Sequence, residues 1–339
     1  MPAIRVWRDA TPEIFHQDIR PLGVPALLKD VVADWPIVRA ARAGGGGAAI
    51  DYLGNLATAE TVSVVRAPAR VEGRLHMDDD LRSPNFARGA APLDGFLRAL
   101  LVEADKARPD SLCVQGVDAQ RHLPRFATAH PQPLVPDTAT PRLWIGGAAK
   151  VATHHDPSEN LACVAAGRRR FTLFAPEQVG DLYMGPFHIT PAGPQVSMAH
   201  VTAPDFERFP RFAKALDAAL VAELEPGDAI YIPYQWYHHV EALDGLNVLV
   251  NYWWDEARTD VGSPWDVMMH GMMTLRNLPV EQRRAWRAMF DQYVFLENGD
   301  PAAHLPAHAH GVLSATQPQD VLQMRRALIA NLRKQDPER

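Results

Sequence analysis

The chain has 339 residues, with 34 Lys and Arg against 40 Asp and Glu, a net charge of −6 and two cysteines. That length supports a sizeable core, as one large domain with an appendage or as two domains, while the mildly acidic balance lacks the basic stripe of a nucleic-acid binder. No long apolar run or charged-then-apolar leader argues for a membrane span or signal peptide, and Cys113 and Cys163, far apart in sequence, read as free thiols of a reducing compartment, so a cytoplasmic protein is expected.

Along the chain, Thr11-Pro12-Glu13 opens a helix with a Thr cap and Pro at the first position. Val24 to Leu28 reads as a strand. Gly44 to Gly47 reads as a flexible loop, since no Gly-Lys-Ser or Gly-Lys-Thr follows to make it a phosphate loop. Val62 to Arg66 and Arg74 to Met77 are expected to form a hairpin, and Leu93 to Ala107 carries helical apolar spacing. After Trp254 the pattern turns helical again over Pro264 to Leu275, Pro279 to Phe295 and Asp320 to Leu332.

The most chemical segments are Thr153-His154-His155-Asp156-Pro157 and Trp236-Tyr237-His238-His239-Val240. Two imidazoles and one carboxylate form the donor set that holds a redox-active metal on three positions and leaves others open. Side chains alternate across a strand, so His154 and Asp156 share one side and His155 takes the other. In the second segment His238 and His239 lie on opposite faces, and periodicity does not say which is inside. His304, His308 and His310 form a further histidine cluster, but its Pro- and Ala-rich setting without carboxylates or thiols reads as a loop.

His-x-Asp is followed in order by Asn160, Gly167-Arg168-Arg169, Leu173 to Pro176, Pro226-Gly227-Asp228, Pro233 to His238, and Asn251-Tyr252-Trp253. This succession resembles the cupin-like branch of the JmjC dioxygenases. The resemblance implies a mainly β fold with flanking helices: a double-stranded β-helix of jelly-roll or cupin type, with an N-terminal α/β buttress and C-terminal helices. It implies Fe(II), 2-oxoglutarate and O2 as cofactor and cosubstrates, with His154, Asp156 and His238 as the catalytic metal ligands. Arg169 stands at the position that anchors the distal carboxylate of 2-oxoglutarate, where relatives often carry Lys; a guanidinium grips a carboxylate through two parallel bonds. Asn160, Asn251 and Trp253 join the cofactor-binding set. Val151 and Cys113 stand where hydroxyl groups are expected, and Thr153 is a replacement donor. Arg168 and Arg170 alternate away from Arg169 and read as surface charge.

The expected organisation is an N-terminal segment over residues 1–120, a core over 121–258 and a helical region over 259–339 that pairs two chains into a homodimer. The expected activity is hydroxylation of a protein or peptide side chain, giving succinate and CO2, with a small-molecule substrate close behind; demethylation follows if the oxidised carbon is attached to nitrogen. A cupin enzyme using another metal without 2-oxoglutarate, and a silent metal- or partner-binding module, are the alternatives. Trp144, Tyr183, Tyr234 and Trp236 are candidates for the entrance, with the Pro- and Gly-rich stretch from Met184 to Pro210 as a lid. No nucleic-acid or membrane partner is expected.

Overall fold

The protein is described here as a computed structural model covering residues 3–78, 80–191, 193–314 and 317–334. Its chain divides into two compact units, residues 1–255 and 256–339.

The first unit is built on two sheets. The larger has nine strands in the spatial order Arg5–Trp7, Ala26–Leu28, Ala229–Ile232, Glu159–Ala166, Asn247–Trp254, Arg142–Gly146, Ser111–Asp118, Thr61–Ala67 and Ala87–Pro92. The smaller has five: Leu220–Leu224, Arg169–Phe174, Tyr237–Ala242, Ala149–His154 and Arg74–Leu75. Apolar residues of both meet between them, Val164, Ile230 and Leu249 from one side against Phe171, Leu224 and Val240 from the other. This is a jelly-roll arrangement of two packed sheets rather than a closed barrel. Strands from residues 1–120 join the same large sheet as those of the central region, so the N-terminal segment and the core share one body.

The outer face of the larger sheet is covered by helices. Thr11 caps the first, its hydroxyl accepting from the Ile14 N–H at 3.3 Å with Pro12 in the first turn. The Leu93–Ala104 helix buries Leu93, Phe96, Leu97 and Leu100 on one face, as its spacing predicts. The run Gly44 to Gly47 departs from expectation: it lies within a helical element spanning Pro36–Gly54, kinked where Gly44 (φ −135°, ψ 18°) and Gly45 (φ 71°, ψ −168°) leave helical geometry. Each glycine costs a helix about 1 kcal/mol relative to Ala. Burial of Ile37 and Val38 before the kink, and Ile50 and Leu53 after it, contributes roughly 1.5–3 kcal/mol per side chain. Packing therefore outweighs propensity.

The expected hairpin is also corrected. Thr61–Ala67 pairs antiparallel with Ala87–Pro92 and Ser111–Asp118, whereas Arg74–Leu75 runs parallel to Ala149–His154 in the other sheet. Left-handed Glu72 (φ 51°) and Gly73 (φ 77°) turn the chain away, and the Lys150 N–H donates to the Gly73 carbonyl at 2.7 Å. This crossing carries Leu75 towards the site.

The Pro226-Gly227-Asp228 turn closes the smaller sheet against the larger. Its Asp228 carboxylate accepts from the Glu225 and Asp30 N–H groups at 3.0 and 3.2 Å and pairs with Lys29. Gly167, at the turn into Arg169–Phe174, has φ 69°, and a Cβ there would meet the Asn247 side-chain oxygen at 2.4 Å. No other residue fits that turn without displacing Asn247.

In the second unit the helices are Pro264–Thr274, Val280–Tyr293 and Pro318–Lys334, the first capped by the Ser263 hydroxyl, which accepts from the Trp265 N–H at 3.2 Å. Their large apolar residues stay exposed, Trp286 at 46% and Leu328 at 49%. His304 falls in a turn, His308 lies in the short 3-10 helix Ala307–Ala309, and His310 follows that helix with its Nε2 3.0 Å from the Leu305 carbonyl. No helix among the described residues is long and apolar enough to cross a membrane.

Candidate metal centre

His154 ends the Ala149–His154 strand, Asp156 follows it beside Pro157, and His238 lies opposite His154 in the neighbouring Tyr237–Ala242 strand. Pro157 has no N–H to continue a ladder, so the chain leaves the sheet here. The ligand atoms of the three lie within 4.8 Å of one another, and they form the sole such histidine and carboxylate group among the described residues. His238 Nε2 stands 3.6 Å from Asp156 Oδ2, and the two imidazole rings are 4.4 Å apart.

The surroundings fix how these groups are presented. His154 Nδ1 lies 2.8 Å from the Ala152 carbonyl and His238 Nδ1 lies 3.1 Å from the Trp236 carbonyl. A carbonyl only accepts, so each Nδ1 carries the proton and each Nε2 offers its lone pair to the site. Burial, with the neighbouring His154 adding to it, holds the His238 imidazole below its ordinary pKa, which favours the neutral, ligating form. Asp156 Oδ2 receives the Trp253 indole N–H at 3.2 Å and the Asn160 amide at 3.5 Å. The Asn251 amide in turn donates to Asn160 Oδ1 at 2.8 Å.

All three candidate ligands line one cavity of about 290 Å³, together with Arg169, Asn160, Asn251 and Trp253. Arg169 is buried, and its Nε has no partner. Burial lowers its pKa to about 10, so it remains a cation at neutral pH. An unpaired buried cation is costly, and an anion entering the cavity offsets that cost. Arg168 and Arg170 face away, paired with Asp244 at 2.7 Å and Glu223 at 2.5 Å.

Other sequence candidates fall elsewhere. Thr153 does not line the cavity; strand alternation turns it from the side of His154, and its buried hydroxyl has no partner. His155 packs on Tyr237 at 5.0 Å, while His239 lies on the opposite face of its strand, 3.9 Å from Glu241. Trp144 lines the cavity, but Tyr183 packs on Phe209 and Trp236 donates to the Gly23 carbonyl at 3.2 Å. Tyr234 is 38% exposed and outside the lining. From the proposed lid stretch, Pro191, Pro194 and Val196 form one wall, held by Ser197 N–H to the Thr153 carbonyl at 2.8 Å and Arg88 to the Pro191 carbonyl at 2.9 Å. Leu75, Phe86 and Gln115, all from the N-terminal segment, also line the cavity and were not among the candidates. The signal for Gln115 was a lone amide inside an apolar strand.

The fit of the residues to a metal is direct: two neutral imidazoles and a carboxylate supply the N, N, O set preferred by Fe(II) in oxygenases, and a buried guanidinium in the same cavity suits a dicarboxylate. Comparison with known proteins agrees. A family described as cupin-like domain matches residues 12–260. Relatives include lysine-specific demethylase JMJ31 of Arabidopsis thaliana, 26% identical over 75% of this chain and 50% of its own length. Another is tRNA wybutosine-synthesizing protein 5 of Danio rerio, 26% identical over 74% of each chain. A third is human HSPB1-associated protein 1, 39% identical over 33% of this chain and 22% of its own. The chain thus spans about half the length of the plant relative and a smaller share of the human one. It belongs to the cupin-like domain family of JmjC type, whose members are, at family level, oxygenases of the iron and 2-oxoglutarate kind.

Proposed function

We propose that the protein is an Fe(II)- and 2-oxoglutarate-dependent hydroxylase of a protein or peptide side chain, releasing succinate and CO2. The observation that carries this reading is the sharing of one cavity by the His154, Asp156 and His238 ligand set and the unpartnered guanidinium of Arg169. When bound, the metal supplies oxygen activation coupled to decarboxylation of the cosubstrate. The chain's own groups do the rest. His154, Asp156 and His238 would hold the metal, Arg169 would grip the distal carboxylate of the cosubstrate, and Asn160 and Asn251 would bond near its keto-acid end. Trp253 orients Asp156.

Among the described residues lining the cavity, Asp156 is the sole carboxylate, and Leu75, Phe86, Pro191, Pro194 and Val196 form an apolar part of the lining. A cationic methylated lysine finds no counter-ion there. Hydroxylation of an uncharged side chain is therefore favoured over demethylation, and a small apolar molecule is the second reading on the same observation. The net charge of −6 disfavours a nucleic-acid substrate. We also infer that the C-terminal helices pair two chains, because their apolar residues are exposed.

The test is an anaerobic titration of metal-free protein with Fe(II) and 2-oxoglutarate, following the visible metal-to-ligand charge-transfer band. The band is expected with the unaltered protein, absent with Asp156→Ala and weakened with Arg169→Ala. Tight metal binding without the band would overturn the oxygenase reading and favour a cupin enzyme of another metal or a silent module.

A further inference from the structure

The buried end of the cavity, around Arg169, lacks the donors expected beside a carboxylate anchor. Cys113 and Val151 flank Arg169 there and bring no hydroxyl group. Two other polar groups do converge on the same end. Gln115 and Trp144 line both the main cavity and the small adjoining hollow that reaches Arg169. The Gln115 side-chain amide has no hydrogen-bond partner in the protein among the described residues, and the Trp144 indole N–H is buried without one.

Their placement comes from an irregularity in the sheet. In the Ser111–Asp118 strand the register against Arg142–Gly146 shifts between Val114 and Val117, which pair with Ile145 and Leu143. The two residues Gln115 and Gly116 therefore stand opposite the single residue Trp144, a β-bulge. Gly116 takes φ 64°, and a Cβ built on it would lie 4.0 Å from the Trp144 ring. Bulges re-aim side chains next to sites. Here Val114 and Val117 both pack in the hydrophobic core, while Gln115 turns to the cavity.

We propose that Gln115 and Trp144 are cosubstrate-binding residues, their side-chain N–H groups completing with Arg169 a three-sided cradle for the distal carboxylate of a 2-oxo dicarboxylate. The cradle takes the place of the hydroxyl donors this chain lacks at Cys113 and Val151. Donors already fixed by the strands and left unbonded in the protein lose nothing when an anion arrives, so they favour a carboxylate over an uncharged chain end. The inference rests on the reading of the cavity as a 2-oxoglutarate site.

The experiment measures, by anaerobic calorimetry on the Fe(II)-loaded full chain, the affinities of 2-oxoglutarate and of 2-oxobutyrate, which keeps the keto-acid head and lacks the distal carboxylate. Gln115→Leu and Trp144→Phe remove the donors and retain most of the volume. Each is expected to weaken 2-oxoglutarate about tenfold or more while leaving 2-oxobutyrate within about twofold of the unaltered protein. Gln115→Glu places an anion beside Arg169 and is expected to weaken 2-oxoglutarate more than Gln115→Leu while raising the melting temperature of the ligand-free protein. Unchanged 2-oxoglutarate affinity in both donor-deletion variants, or equal losses for the two ligands, overturns the cradle. Failure of the unaltered protein to bind either ligand overturns instead the reading on which it rests.

Discussion

The indole N–H of Trp253 donates to Asp156 Oδ2 at 3.2 Å, so the last motif in the central region holds the carboxylate of the first. The contact crosses from the larger sheet to the loop after the Ala149–His154 strand. It fixes which way the carboxylate turns and leaves the other oxygen free of that bond. Groups that orient a metal ligand commonly contribute tenfold to a hundredfold to metal affinity. Trp253→Phe keeps an aromatic ring and removes only the donor. Its Fe(II) affinity, measured by anaerobic equilibrium dialysis, is expected to fall by about that range, with Asp156→Ala losing far more. An unchanged affinity in Trp253→Phe would mean that the bond is incidental.

Arg169 makes a prediction in which stability and binding move in opposite directions. Its guanidinium is buried with Nε unpartnered, and burial pulls its pKa down to about 10. Replacing a buried, poorly compensated charge by an apolar side chain of similar length is often stabilising. Arg169→Met is expected to raise the melting temperature of the ligand-free protein by a few degrees, equivalent to roughly 1 kcal/mol. The same variant is expected to lose 2-oxoglutarate affinity by about a hundredfold or more, since a charge-assisted bidentate contact is removed. Thermal melts and calorimetry on one preparation check both, and a destabilised Arg169→Met would point to a structural role.

The grouping of His154 with Asp156 was legible because it depends on short-range geometry. His154 and Asp156 share a side by alternation, and the structure keeps them together even though the strand stops at His154. The choice between His238 and His239 was not legible from periodicity. The Tyr237–Ala242 strand is buried at every position, one face towards the cavity and the other beneath packed chain, so no polar alternation marks the inside. The N-terminal contributions were hidden for a different reason. Leu75 reaches the cavity because Arg74–Leu75 crosses to the smaller sheet, and Gln115 because of a bulge, both consequences of pairing with strands distant in sequence. The glycine run was misread because local propensity favours a loop and the burial around it does not appear locally.

A pH effect on stability follows from His130, away from the metal centre. Its ring stacks on Phe126 at 3.9 Å, its Nδ1 lies 2.7 Å from the Phe126 carbonyl, and its Nε2 accepts from the Ile37 N–H at 3.4 Å. Burial holds its pKa below the ordinary histidine value of 6.5. The unfolded chain therefore binds the proton more readily than the folded one. The contribution of neutral His130 is complete above the unfolded value, and it is lost progressively as the pH falls from there through the lowered folded value. His130→Gln removes the titration. Between pH 7 and pH 5 the melting temperature of the unaltered protein is expected to drop more than that of His130→Gln, and parallel drops would exclude His130 as a source of the acid sensitivity.

The helical unit supplies the last prediction. Trp286, Phe295 and Leu328 are 46%, 62% and 49% exposed, and Trp265, Met273 and Ile329 add to the apolar surface of the same unit. Helices with this much uncovered apolar side chain are ordinarily buried against a partner, and a second copy of the chain in a two-fold arrangement is the simplest one. Such a pairing buries aromatic and aliphatic side chains without introducing unpaired charge. A glutamate there meets the opposite outcome, because desolvating it without a partner costs several kcal/mol. Light scattering after size exclusion is expected to give twice the chain mass for the unaltered protein and the single chain mass for Trp286→Glu combined with Leu328→Glu. Metal affinity at His154, Asp156 and His238 should persist in the monomeric variant, as those ligands belong to the first unit. A unaltered protein that remains monomeric at tens of micromolar would show that these helices meet a different partner.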